Sequence, residues 1–241
     1  MDKFSNTEFR LKFELLNDNT YSVVGYDGTP INLAIPSSYN DLPVTNVGGS
    51  AFFGCNSLIS VIIPDSVTSI DYCAFATCSA LNSVTIGRGV KEISDNAFFN
   101  CNALARVDIN SIESWCGITF TDHNANPLYY AKNLYLNGKL VKELVIPDAV
   151  TKINDYAFNN CNSLTRLIIN DSVISIGSYA FHNCALLSDL TLGNSLINIS
   201  DYAFGSCDLL THVTIPKTAS YVSKKAFQHC NSLTSVTISN N

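Results

Sequence analysis

The chain has 241 residues, 46% of them apolar, with 14 Lys and Arg against 20 Asp and Glu for a formal net charge of −6. That much apolar content can bury a sizeable core, while the acidic balance provides no basic footprint for nucleic acid or for an anionic membrane surface. No segment reaches the roughly 20 apolar residues of a spanning helix, and Met1 to Glu8 lacks the basic-then-apolar order of an export signal. The expectation is a chain without membrane insertion, cytoplasmic if complete and otherwise a piece whose signal and anchor lie outside it.

In chain order, the first expected element is a hairpin. Phe9 to Leu15 alternates apolar and polar residues, Asn17-Asp18-Asn19 is a turn signal, and Tyr21 to Val24 resumes the apolar pattern. We assign residues 1–45 to this N-terminal cap.

Residues 46–241 then repeat. Ala-Phe followed three residues later by Cys occurs at Ala51, Ala74, Ala97, Ala157, Ala180, Ala203 and Ala226, in steps of 23, 23, 60, 23, 23 and 23. Such a period marks a solenoid whose units bury their apolar faces only against neighbours. In the copy around Ala74, Ile70, Ala74 and Cys78 are four apart, which predicts a short helical turn, and Val84 and Ile86 are two apart, which predicts one strand. Three residues before each Ala stand Gly48, Asp71, Ser94, Asn154, Gly177, Ser200 and Ser223, all suited to an N-cap. Pro64, Pro147 and Pro216, or Gly87 and Gly193, end the strands. The strands, one per coil, should be parallel.

Seven cysteines (Cys55, Cys78, Cys101, Cys161, Cys184, Cys207, Cys230) share one phase. Coils stacked at about 4.8 Å hold neighbouring Cβ atoms farther apart than a disulfide prefers, so these read as buried free thiols. Cys73 and Cys116 are out of phase.

The long step implies an insertion at about residues 110–141. It holds the single Trp, Trp115, with His123, Tyr129, Tyr130 and an Asn137-Gly138 hairpin signal. Its aromatics have two readings: they pack an interrupted joint, or they bind a ligand. After the last repeat strand the sequence runs Ile238 to Asn241 with no polar cap. The expectation there is an open strand edge, with self-association through the last coil or continuation of the protein beyond it.

Leu81-Asn82-Ser83-Val84-Thr85-Ile86 and Leu233-Thr234-Ser235-Val236-Thr237-Ile238, preceded by units such as Ile63-Pro64-Asp65-Ser66-Val67-Thr68-Ser69-Ile70, resemble the BspA-like branch of leucine-rich repeats. The resemblance implies an α/β leucine-rich repeat horseshoe. It also implies a secreted or cell-surface setting in host-associated microbes and an adhesive role. Fold alone confers no function.

For chemistry, Cys116 with His123 is the single nucleophile-and-base pairing available, and no motif orients it. The four histidines show no ligand spacing with the cysteines, and phosphate loops and nucleophile elbows are absent. No enzyme activity, metal or cofactor is expected. The outward strand positions carry the information. Most are Ser or Thr, which suit an exposed strand without implying a ligand. The candidate concave-face contacts are Arg106, Asp108, Arg166, Ile168, Asp189, Thr191, His212 and Thr214. The aromatic candidates are Trp115 and a stripe of Tyr156, Tyr179 and Tyr202, one residue before Ala on three successive coils. The expected function is recognition of a protein or glycan, the alternative a structural spacer.

Overall fold

The computed structural model describes residues 9–239, and the expectations about a leader in Met1 to Glu8 and about Asn240-Asn241 lie outside the described residues. Arg10–Leu15 and Tyr21–Asp27 form the expected antiparallel hairpin. Tyr21–Asp27 also pairs in parallel with Leu42–Val47, which lies in the first coil. Asn32–Ala34 already pairs with Ser60–Ile62. The stack therefore begins ahead of residue 46, and the cap proper is the hairpin alone.

Each coil carries two short strands rather than one. The first row runs Asn32–Ala34, Ser60–Ile62, Ser83–Ile86, Arg106–Ile109 and Leu134–Leu136 as one sheet. It resumes with Glu143–Val145, Arg166–Ile168 and Asp189–Thr191, and again with His212–Ile215 and Ser235–Ile238. The second row runs Leu42–Val47, Ser69–Ile70, Glu92–Ile93 and Thr119–Phe120, then Lys152–Ile153, Ser175–Ile176, Asn198–Ile199 and Tyr221–Val222. Registers such as Arg106 with Ser83 and Arg166 with Asp189 step by one repeat, so each phase of the sequence becomes a ladder in space.

The turn around Ala-Phe is not a helix. Each Ala amide does donate to the carbonyl of the capping residue, at 2.9–3.4 Å from Gly48 to Ser223. Helix growth then stops, because Ser50, Cys73, Asn96, Tyr156, Tyr179 and Tyr202 adopt φ between 54° and 62°, a left-handed conformation that cannot continue a right-handed helix. The next amides instead reach the following coil: Phe75 to Ala97 at 2.8 Å, Thr77 to Phe99 at 2.7 Å, Phe181 to Ala203 at 2.8 Å. The turn thereby becomes a third line of inter-coil hydrogen bonds.

The Phe positions form the spine of the core. Tyr26, Phe52, Phe75 and Phe98 stack with centroids 5.1–5.5 Å apart, and Phe158, Phe181, Phe204 and Phe227 at 5.0–5.4 Å. Each ring buried in this way is worth about 1.5–3 kcal/mol relative to exposure. Beside them, the in-phase cysteines are free. Cys78, Cys101, Cys184, Cys207 and Cys230 donate through Sγ to the Phe carbonyl of the preceding coil at 3.0–3.4 Å. Cys thus acts as a small apolar filler that also satisfies a buried acceptor.

The insertion is largely an extra coil. Arg106–Ile109 leads into helix α1 (Ile112–Cys116), the second-row strand Thr119–Phe120, helix α2 (Leu128–Ala131) and the first-row strand Leu134–Leu136. That strand turns through Asn137 and Gly138, both at positive φ, into Lys139–Leu140, which pairs antiparallel and ends the first sheet. Trp115, 1% exposed, belongs to the joint: its indole Nε1 donates to the Ala157 carbonyl at 2.8 Å, and Asn126 Nδ2 donates to Tyr156 and Ala157 at 2.7 and 3.2 Å. In regular coils a Phe amide satisfies that carbonyl.

Candidate recognition surface

The first-row strands place alternate side chains in the core and turn the others outward. Val107, Leu167 and Val213 are buried at 0–1% exposure, while Arg106, Asp108, Arg166, Asp189, Thr191, His212 and Thr214 lie on the open face and Ile168 is half-buried there. Two ion pairs organise them. Arg106 donates from Nε and Nη2 to both oxygens of Asp108 at 2.5 and 2.7 Å, and its guanidinium lies 3.9 Å over the Tyr135 ring. The hydrogen bonds it donates to Asp108 hold that guanidinium still more firmly protonated. Arg166 meets Asp189 across neighbouring strands at 3.1 Å. Tyr135 escaped the sequence reading because the extra coil hides its phase.

The row is open between Asp189–Thr191 and His212–Ile215, which belong to separate sheets although the second row stays continuous beside them. Leu190 is half-buried there, whereas its counterparts Leu167 and Val213 are buried. The opening is a depression of about 320 Å³ that brings together Asp189, Thr191, His212 and Thr214 with Asn194 and Pro216. Thr211 Oγ1 lies 3.2 Å from His212 Nδ1 and orients the imidazole. Four of the eight concave candidates therefore converge on one site, and Arg166 joins them through Asp189. Arg106 and Asp108 sit separately toward the insertion.

The aromatic candidates divide. Trp115 is enclosed in the joint and presents no face to a ligand, which corrects its assignment as a contact residue. Tyr156, Tyr179 and Tyr202 stack at 5.4 and 4.9 Å on the turn side of the coils, half-buried.

The cysteine pairing does not assemble as a nucleophile. Cys116 is 1% exposed inside α1, where burial pushes its thiol well above the ordinary range, and a protonated thiol is a poor nucleophile. His123 instead packs edge-on against Tyr129 at 4.9 Å. Among the described residues no cluster of three or more His, Cys, Asp or Glu is placed to hold a metal ion, and no helix is long and apolar enough to cross a membrane.

Comparison with known proteins is consistent with this geometry. A leucine-rich repeat protein from T. pallidum is 26% identical, with a TM-score of 0.57 over 83% of this chain and 87% of that one. The pneumococcal vaccine antigen PcpA is 17% identical, with a TM-score of 0.50 over 99% and 82%, and shows the fold alone. No curated protein sequence matches. The family description "BspA type Leucine rich repeat region" matches residues 45–135 and 129–241 in six copies. With most of its length so matched and its coils stacked as described, the chain belongs to the BspA-type leucine-rich repeat family.

Proposed function

We propose that the chain is a non-enzymatic recognition module that binds a protein partner through the concave strand face, centred on the opening beside Asp189 and His212. The observation that carries this reading is the loss of ladder bonding between Asp189–Thr191 and His212–Ile215 while the second row stays bonded beside it. An inert spacer gains nothing from an opened sheet, since each unmade ladder bond removes stabilisation, whereas a binding face gains an apolar floor at Leu190 ringed by an acid, an imidazole and two hydroxyls. This mixture of a small apolar centre and polar rim is what protein contacts use. Affinity would grow from many modest contacts along a preorganised array. Display outside the cell is the setting that the family resemblance implies. The test is binding of wild type and an Asp189→Ser, His212→Ser double variant to a panel of immobilised extracellular-matrix proteins. The expected result is at least one partner held by wild type and released by the variant at unchanged melting temperature. No binding to any member, or equal binding by both, would sink the proposal.

A further inference from the structure

A second site lies on the turn side, at the seam between the extra coil and the coil of Ala157. A groove of about 290 Å³ is lined by His123, Tyr129, Tyr156, Asn159, Tyr179 and His182, close to the lower end of small-ligand pockets, about 300 Å³. Its origin is a break in a ladder. The Phe98 amide bonds Asn124 as the Phe75 amide bonds Ala97, which puts His123 in the phase of Tyr156 one coil earlier. The His123 ring turns aside onto Tyr129 instead of continuing the stack. Tyr156 consequently stacks on Tyr179 on one side, and among the described residues no ring covers its other side. At the far end of the stack the Lys225 ammonium sits 5.2 Å over Tyr202.

Three features of the groove ask for an occupant. The tyrosines hold left-handed φ of 62°, 57° and 54° where earlier coils use Ser50, Cys73 and Asn96. Bulky residues occupy that region at a cost, and structures keep such strain where it serves a site. Asn159 is 3% exposed and lines the groove, yet among the described residues its side-chain oxygen has no hydrogen-bond partner. Such a buried orphan acceptor calls for a donor. Finally, among the described residues no Asp, Glu, Lys or Arg lines the groove, and burial, then His229, lowers the His182 pKa and favours its neutral form.

We infer that this groove is a binding site for a neutral sugar ring, with the ring's C–H face laid against Tyr156 and its hydroxyls answering Asn159 and the imidazole of His182. An amphipathic aromatic ring beside a few fixed polar groups matches a ligand that is apolar on its faces and hydroxylated at its edge. The absence of a lining cation disfavours a sialic acid or a phosphate. This site is separate from the concave opening, and the two can fail independently.

The test is an amide NMR titration of the full chain with millimolar methyl glycosides of neutral hexoses and N-acetylhexosamines, with sialic acid as the anionic control. The expected result is saturable shifts at Tyr156, Asn159 and His182 for at least one neutral sugar. Tyr156→Asn, which installs the residue of the Asn96 coil at the same phase, should weaken that binding roughly five- to tenfold. His123→Ala, at an exposed position, serves as a second groove variant should the first disturb folding, and should also weaken binding. The Asp189→Ser, His212→Ser variant should bind the sugar as wild type does. The inference is overturned if no neutral sugar gives saturable shifts, if sialic acid binds better, or if both groove variants keep wild-type affinity.

Discussion

Arg166 and Asp189 are register partners on adjacent parallel strands, and their side chains close to 3.1 Å across the outward strand face, beside the point where the row opens. Both are about half exposed, so the pair contributes under about 1 kcal/mol to folding. Its role is to fix the direction of the Asp189 carboxylate. Arg166→Ser should leave the melting temperature within about 2 °C while weakening any partner held by wild type. A large loss of stability in that variant would place Arg166 in the scaffold instead.

Burial in the Phe spine predicts a gradient along the stack. Phe181 has aromatic neighbours at 5.0 and 5.4 Å and is fully buried, whereas Phe227 touches one and is partly exposed. Phe181→Ala should cost about 3–5 kcal/mol by denaturant unfolding, and Phe227→Ala distinctly less. Equal costs would mean that the last coil is packed as firmly as the middle.

Close approach of coils predicts a steric constraint at a corner of the stack. A Cβ at Gly193 would fall 2.1 Å from the Asn170 carbonyl oxygen of the preceding coil. Gly193→Ala should therefore destabilise by about 1–3 kcal/mol, and a neutral or stabilising outcome would show that the corner can open without loss.

The cysteine ladder makes a chemical prediction. Burial pushes the Cys161 thiol up to about 11 and holds Cys184 well above its ordinary value too, whereas Cys230, with 9% exposure, is held below its ordinary value by the thiol of Cys207. Thiolate is the reactive form. Native alkylation followed by mass spectrometry should modify Cys230 first among the seven in-phase cysteines. Cys161 or Cys184 reacting ahead of it, or disulfides between neighbouring coils, would contradict the ladder.

His182 gives the fold an acid-side dependence. Burial, with His229 nearby, lowers its pKa below the ordinary 6.5, so the unfolded chain binds a proton that the folded chain resists. Its contribution is complete above pH 6.5 and declines as pH falls from there toward the lowered folded value. His182→Gln should flatten part of the loss of melting temperature between neutral and mildly acid pH. An unchanged profile would mean that His182 titrates normally.

Much of the fold was legible because each coil repeats one solution. The phase of Ala, Phe, Cys and the strand apolar residues maps directly onto ladders, and the alternation around Val107 and Leu167 identified the outward face. What periodicity cannot convey is whether two adjacent phases are actually bonded. The opening between Asp189–Thr191 and His212–Ile215 leaves the strand pattern intact, so Asp189 and His212 were visible as candidates but their convergence was not. Phase also misled at the turn, where the four-residue spacing of Ile70, Ala74 and Cys78 suggested a helix and the left-handed Cys73 forbids one. Trp115 drew attention as a single large aromatic, yet its indole N–H fills a hydrogen bond that a regular coil would take from a Phe amide.

The most direct test of recognition through the concave opening is differential hydrogen exchange on the full chain with and without a captured matrix protein. The account predicts slowed exchange on binding at residues 189–194 and 212–216, with the second-row strands Ser175–Ile176 and Asn198–Ile199 unchanged. Protection confined to other faces, with residues 189–194 and 212–216 exchanging as in the free chain, would contradict it.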